Sequence, residues 1–338
     1  MIVIAWCNRD GRNDVGANRT SRLLEQLKKR GVGCQVIDLW KPNDIYGKIK
    51  WVLRVSFLLI IAKRQLVYTS CNPYKHLLLL AFFSTIKRHK LVVDFRDAYS
   101  IDIKERNYPG SYIFARFTEK IVYKCCVKFI VVTPGIKKRY EKIFKDDSKI
   151  MVVPNGHELD REFLEQLHIR NKKNDGIRVV YPGMYSPYFF NDSGIQYIDR
   201  IKCELEKTGR RYEIIFVGTD KRTKELLKHK NNIKFIPDTD NSERLPYKET
   251  IEILNTADLV FMPIDNDYGC ATKIYDYLAL GLPIFNFIDK SNWLHEYIGE
   301  RIVNNCENLS RFEMDYKGKY HRDNQMKTLV NYICEEEK

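Results

Sequence analysis

Lys273 and Asp276 stand three residues apart, directly after the polar loop Asp265-Asn-Asp-Tyr-Gly269-Cys-Ala-Thr272. On a helix that spacing puts an ammonium and a carboxylate on one face. Together they suit a nucleotide: the cation for phosphate, the carboxylate for ribose hydroxyls. The same pair also reads as a solvated ion pair on an ordinary helix, and spacing alone leaves both open. A second chemical string is Asp94-Phe-Arg96-Asp97-Ala-Tyr99, polar groups at the end of the apolar run Leu91 to Phe95. In doubly wound sheets ligands gather at the carboxyl ends of strands, although an Arg–Asp pair also braces loops. Asp238-Thr-Asp240 and Asp265-Asn-Asp267 could offer hard oxygens to a divalent metal. Their turn-rich surroundings favour local hydrogen bonding instead, so no metal is expected. No Walker A, G-x-S-x-G or H-E-x-x-H string occurs.

The elements that position these residues alternate between strand and helix. Leu259 to Met262 is a buried-strand run, and a helix starts near Thr272 as N-cap and stops at Gly281 before Pro283. Earlier, residues 1–7 read as a strand, Asp10 to Asn18 as a polar loop, Thr20 to Arg30 as a helix and Gly33 to Asp38 as a strand. No G-x-G-x-x-G follows the first strand, which argues against a dinucleotide site. Strands are expected at Leu66 to Ser70, Val127 to Thr133, Ile150 to Val153, Ile177 to Tyr181, Tyr212 to Val217 and Ile233 to Ile236. Helices are expected at 74–86, 134–144, 194–208, 221–228, 247–255 and about 320–336. Such alternation predicts parallel sheets flanked by helices.

These stretches resemble the retaining, nucleotide-sugar-dependent glycosyltransferases of family 4, which have the GT-B fold. Pro263, Lys273, Tyr277, Ala279, Gly281 and Pro283 match that family's donor signature. Asp276 replaces its usual Glu, and Tyr268 falls where a Glu is frequent. Pro154-Asn155-Gly156-His157-Glu158-Leu159-Asp160 is similar to the family's crossing motif, with two residues extra. Pro182-Gly183 falls at its diphosphate glycine, although Met184, Tyr185 and Ser186 stand where it usually has Arg and Lys.

The resemblance implies an α/β fold of GT-B class: two Rossmann-like, doubly wound parallel-sheet domains facing a cleft. Residues 1–156 would form an acceptor domain, 157–319 a linker and donor domain, and 320–338 a helix packing back on the first domain. It implies hexosyl transfer from a nucleotide sugar to a saccharide, with retention. Lys273, Arg96 and Asp97 would serve catalysis. Gly183, Met184, Gly218, Pro237, Tyr268, Gly269, Cys270, Ala271, Thr272, Lys273 and Asp276 would contact the donor. Gly16, Asn18, Arg19, Asp94 and Tyr99 would contact the acceptor. His157 reads as a hinge residue rather than a base.

Bulk properties add the partners. Of 338 residues, 44% are hydrophobic, enough for two cores. The nine scattered cysteines form no C-x-x-C pair, so a reducing cytoplasm is expected. Residues 1–150 hold 30 Lys and Arg against 13 Asp and Glu, and the remainder 27 against 31. That asymmetry points the first half at an anionic surface. Without a recognisable DNA or RNA module, nucleic acid is the weaker reading. A lipid-pyrophosphate-linked saccharide acceptor on the inner face of the cytoplasmic membrane is the expected partner, as in surface-polysaccharide or O-antigen assembly. Residues 46–64 carry an apolar run too short to span. They read either as a packed helix or as an interfacial segment, with Trp51 and Phe57 toward lipid.

Overall fold

The computed structural model describes residues 1–5, 15–39, 45–71, 74–106, 108–169, 176–185, 193–237, 245–263 and 266–337. The chain divides into two compact units: 1–155 with 322–338, and 156–321.

The first unit is built on six strands, β1 (Ile2–Ile4), β2 (Gln35–Ile37), β3 (Leu66–Ser70), β4 (Lys90–Phe95), β5 (Lys128–Val131) and β6 (Ile150–Val152). They pair in parallel in the order β2-β1-β3-β4-β5-β6. The Leu- and Val-rich β3 and β4 are almost wholly enclosed, as strands covered on both faces must be. Helices α1 (Val15–Lys29), α2 (Ile45–Ile61), α3 (Leu77–Lys87), α4 (Tyr99–Glu105), α5 (Tyr112–Cys125) and α6 (Pro134–Phe144) make the crossovers. Thr133 caps α6 through its hydroxyl, and Pro134 occupies the first turn, where its missing N–H costs nothing.

The second unit carries β7 (Ile177–Pro182), β8 (Tyr212–Val217), β9 (Ile233–Ile236), β10 (Leu259–Phe261), β11 (Ile284–Phe285) and β12 (Ile302–Val303). All are parallel, in the order β12-β11-β10-β7-β8-β9. Helices α7 (Arg161–Ile169), α8 (Ser193–Lys207), α9 (Lys221–Leu227), α10 (Tyr247–Leu254), α11 (Ile274–Ala279) and α12 (Trp293–Ile298) flank it. The chain builds β7, β8 and β9 in one direction, then returns to place β10 on the other side of β7. The topological switch point therefore lies between β7 and β10.

After Tyr320 the chain returns to the first unit as α13 (Arg322–Gln325) and α14 (Lys327–Glu336). Leu329, Val330 and Ile333 of α14 pack with Val3, Leu23, Tyr68 and Val92, closing one face of that sheet. The Met1 ammonium pairs with Glu337 at 3.3 Å, so the two ends of the chain meet.

Two expectations are corrected, and for Trp51 one of two open readings is set aside. Residues 15–18 are the first turn of α1 rather than loop, which places Gly16, Asn18 and Arg19 on a helix. Trp51 does not face outward: it is buried, and its Nε1–H donates to the Asp38 carbonyl at 2.9 Å. The second correction concerns α11, which starts at Ile274 with no side-chain cap from Thr272. The Ile274, Tyr275 and Asp276 amides donate to the carbonyls of Ala271, Thr272 and Lys273. Tight i→i+3 turns thus take the donors that an open helix start would present.

Candidate functional site

At the switch point of the second unit, β7 ends in Tyr181-Pro182 and Gly183 turns the chain at φ +81°, a conformation that favours glycine. The Gly183 amide donates to Val217 O at 2.7 Å, locking this turn to the end of β8. Lys273, arriving from the β10–α11 connection, donates from Nζ to Pro182 O at 2.6 Å. Its ammonium lies 3.7 Å from the centroid of the Tyr181 ring, a cation–π contact. A Cβ on Gly183 would sit 3.8 Å from that Nζ. One cation is thereby held against a glycine turn at the strand edge where α/β sheets take ligands.

Burial pulls the Lys273 pKa down to about 7, and nearby Asp276 opposes the shift. The ammonium is under-solvated here, so an incoming anion would gain more from it than from a surface lysine. Asp276 lies on the same face of α11, and its Oδ1 accepts from the Tyr247 hydroxyl at 2.6 Å. The carboxylate is therefore oriented by α10.

The neighbouring residues differ in what they can offer. Gly218, at φ +61°, donates to Ile236 O at 2.7 Å, and the Pro237 carbonyl accepts from Lys224 Nζ at 3.0 Å. Met184 is about half exposed beside Gly183, and Gly269 donates its amide to Asn266 Oδ1 at 2.6 Å. Cys270 has its thiol pushed up by burial, which removes it as a nucleophile. Tyr268 is enclosed, so its side chain packs as core, and its amide donates to Asn266 Oδ1 at 3.1 Å. Asp238, Asp240 and Asp265, from the two Asp-x-Asp strings, lie outside the described residues, as does Ser186.

In the first unit the residues expected to serve catalysis or the acceptor fall into two groups. Arg19 and Asp94 are fully buried and joined Nε to Oδ2 at 2.8 Å. Tyr68 adds a hydroxyl to Asp94 at 2.7 Å, and Arg19 also donates to Val153 O, Pro154 O and Asn155 Oδ1. This network ties α1 and β4 to the exit of β6. Its enclosure corrects Arg19 and Asp94 from ligand contacts to braces. Arg96, Asp97 and Tyr99 remain reachable at the end of β4. Arg96 is anchored by Nε to Cys71 O at 3.0 Å, and its terminal nitrogens have no further hydrogen bond among the described residues. Tyr99 stacks on Tyr74, ring centroids 3.8 Å apart.

His157 behaves as a brace. Leu159 N–H donates to its Nδ1, so Nε2 carries the proton and donates to Asp315 at 3.0 Å. Burial pushes the Asp315 carboxyl up, but bonds from His157 and the Tyr320 and Lys319 amides outweigh it and hold it low.

Tyr181, Pro182 O and Tyr247 were missed. Tyr181 is adjacent to the recognised Pro182-Gly183, so only its contact with Lys273 was hidden. Tyr247 reaches Asp276 from 29 residues away, which no local pattern announces.

No protein-family model matches the chain, and no curated protein sequence matches it. Solved structures do. HepE of Anabaena, in complex with UDP, superposes with a TM-score of 0.56 at 14% identity, covering 99% of this chain and 90% of that one. The lipopolysaccharide outer core galactosyltransferase WaaB superposes at 0.57 with 8% identity, covering 99% of both chains. A UDP-N-acetylglucosamine 2-epimerase from Rickettsia bellii superposes at 0.51 with 11% identity, covering 98% and 95%. With the two six-stranded parallel sheets, these likenesses establish the GT-B fold.

Proposed function

We propose that the chain is a glycosyltransferase that moves a hexosyl group from a nucleotide sugar to a saccharide acceptor. The observation that carries this reading is Lys273, under-solvated and pinned against the Tyr181-Pro182-Gly183 turn at the switch point. A diphosphate placed there would meet the ammonium and the strand-end turn. Asp276, held by Tyr247, suits the ribose hydroxyls. As the glycosidic bond to the diphosphate breaks, negative charge grows on the leaving oxygen, and a fixed cation stabilises it more in the transition state than in the ground state. No step calls for a metal.

The finer reading is a retaining, family 4-like enzyme in which the leaving phosphate takes the acceptor proton. Arg96 and Asp97 serve the acceptor side in the first unit. The acceptor is lipid-linked, in surface-polysaccharide or lipopolysaccharide assembly on the cytoplasmic side of the membrane. The basic first half supports an anionic acceptor, and the chemistry of WaaB as named agrees in kind. The epimerase that shares the fold supplies the second reading, turnover of the free nucleotide sugar.

Incubation with UDP-, GDP- and ADP-sugars, with and without an extract of lipid-linked saccharides, separates the two. Nucleoside diphosphate release that requires the extract, and a product that keeps the donor's anomeric configuration, is the expected result. Conversion of the sugar nucleotide without any acceptor would replace the proposal with the epimerase reading.

A further inference from the structure

We propose that the outer face formed by α2, α3 and α5 of the first unit docks on an anionic lipid bilayer, lying in its headgroup layer. One side of α2 buries Trp51, Val55 and Leu59. The other side turns Ile49, Leu53, Phe57 and Ile60 outward, at steps of four, four and three residues. That spacing makes one continuous apolar stripe along the helix, about 16 Å long at 1.5 Å per residue. Phe57 is 64% exposed and Ile113 of α5 80% exposed. Phe82 of α3 and Phe117 of α5 extend the surface, and α3 packs beside both α2 and α5. Scattered exposed apolar residues need no explanation, but a stripe repeated on three adjacent helices does.

Charge identifies the occupant. From Asp44 to Asp94 the sequence contains no carboxylate between the two, while holding nine Lys and Arg. Lys48, Lys50 and Arg54 lie exposed on α2 itself, and Lys63 and Arg64 just beyond it. Exposed apolar residues flanked by cations on the same helix are the pattern of a helix seated between headgroups and acyl chains. Spanning is excluded for α2: it has 17 residues with three cations, and no described helix is long and apolar enough to cross a membrane. A second copy of this chain fits poorly, because a two-fold contact through this face would set like charge against like charge. The inference rests on the first unit alone and stands whether or not the chain transfers sugars.

The test is flotation of the full chain with vesicles of phosphatidylcholine, and with vesicles that also contain phosphatidylglycerol. Flotation with the anionic vesicles only, weakened by salt, is expected. Leu53→Glu combined with Phe57→Glu, and separately Lys48→Gln with Lys50→Gln and Arg54→Gln, should each lower partitioning about tenfold or more. These side chains are exposed, so melting should stay unchanged, which separates lost docking from lost folding. Equal flotation with neutral vesicles, no flotation with either, or unimpaired flotation of the Glu variant would overturn the proposal. So would a lipid-free dimer abolished by the Glu pair, which would give the face to a second copy.

Discussion

Lys273 holds its charge where solvation is poor, and two measurable consequences follow. Its folded pKa is about 7, against roughly 10.4 for a lysine in an unfolded chain. Between those values the unfolded state binds the extra proton, so stability should rise with pH from about 7 toward 10; below 7 both states are charged and the cost is complete. Melting from pH 7 to 9 should therefore climb in the natural chain relative to Lys273→Met, which lacks the titrating group. Binding runs the opposite way. A diphosphate favours the ammonium, so UDP-glucose affinity, where that is the donor, should weaken as pH rises through 7. Arg19 makes the contrasting prediction. Its enclosed pair with Asp94 means that Arg19→Met leaves a buried carboxylate uncompensated, costing about 3–5 kcal/mol in denaturant unfolding. An Arg19→Met, Asp94→Leu double variant should recover part of that loss. An acceptor contact, by comparison, would lower activity without moving stability.

At the scale of elements, α11 illustrates a join that depends on one residue. Gly281 ends it at φ +64°, and a Cβ there would come within 2.1 Å of Phe312 O, which belongs to the segment packed over the helix end. Gly281→Ala should cost about 2–5 kcal/mol, combining a left-handed penalty with a backbone clash; urea midpoints will measure it. The elements were largely legible in the sequence. Apolar-rich runs such as Leu66 to Ser70 and Tyr212 to Val217 mark parallel strands, and Thr133-Pro134 marks a helix start. What escaped depends on distant partners. Val15 to Asn18 read as loop, because the polar α1 start is held by Arg19 meeting Asp94 from 75 residues away. Thr272 resembles an N-cap, yet the preceding turn takes the amides it would have served. Tyr268 lies in a polar loop, and only packing shows it to be core.

At the scale of the whole molecule, the chain crosses between units at 155–156 and returns at 321–322. His157 and His321 form a parallel bridge that ties the two crossings side by side. Because α14 covers one face of the first sheet, removing residues 322–338 should expose that core. Limited proteolysis of the truncated chain is expected to degrade the first unit faster than in the full chain. The candidate site was legible as residue types, Lys273, Asp276 and Gly183, since each lies in a string with its own chemical logic. The tyrosines that seat and orient them, Tyr181 and Tyr247, emerge only when separate strands and helices meet.

The most direct measurement is calorimetric titration of UDP, GDP, ADP and their sugars into the natural chain and Lys273→Met near pH 6.5. At least one nucleotide should bind the natural chain, with affinity lowered about 10–100-fold by the substitution, the worth of one charge-assisted hydrogen bond. Equal affinity in the two proteins, or no binding by the natural chain, would contradict a phosphate-gripping role for Lys273.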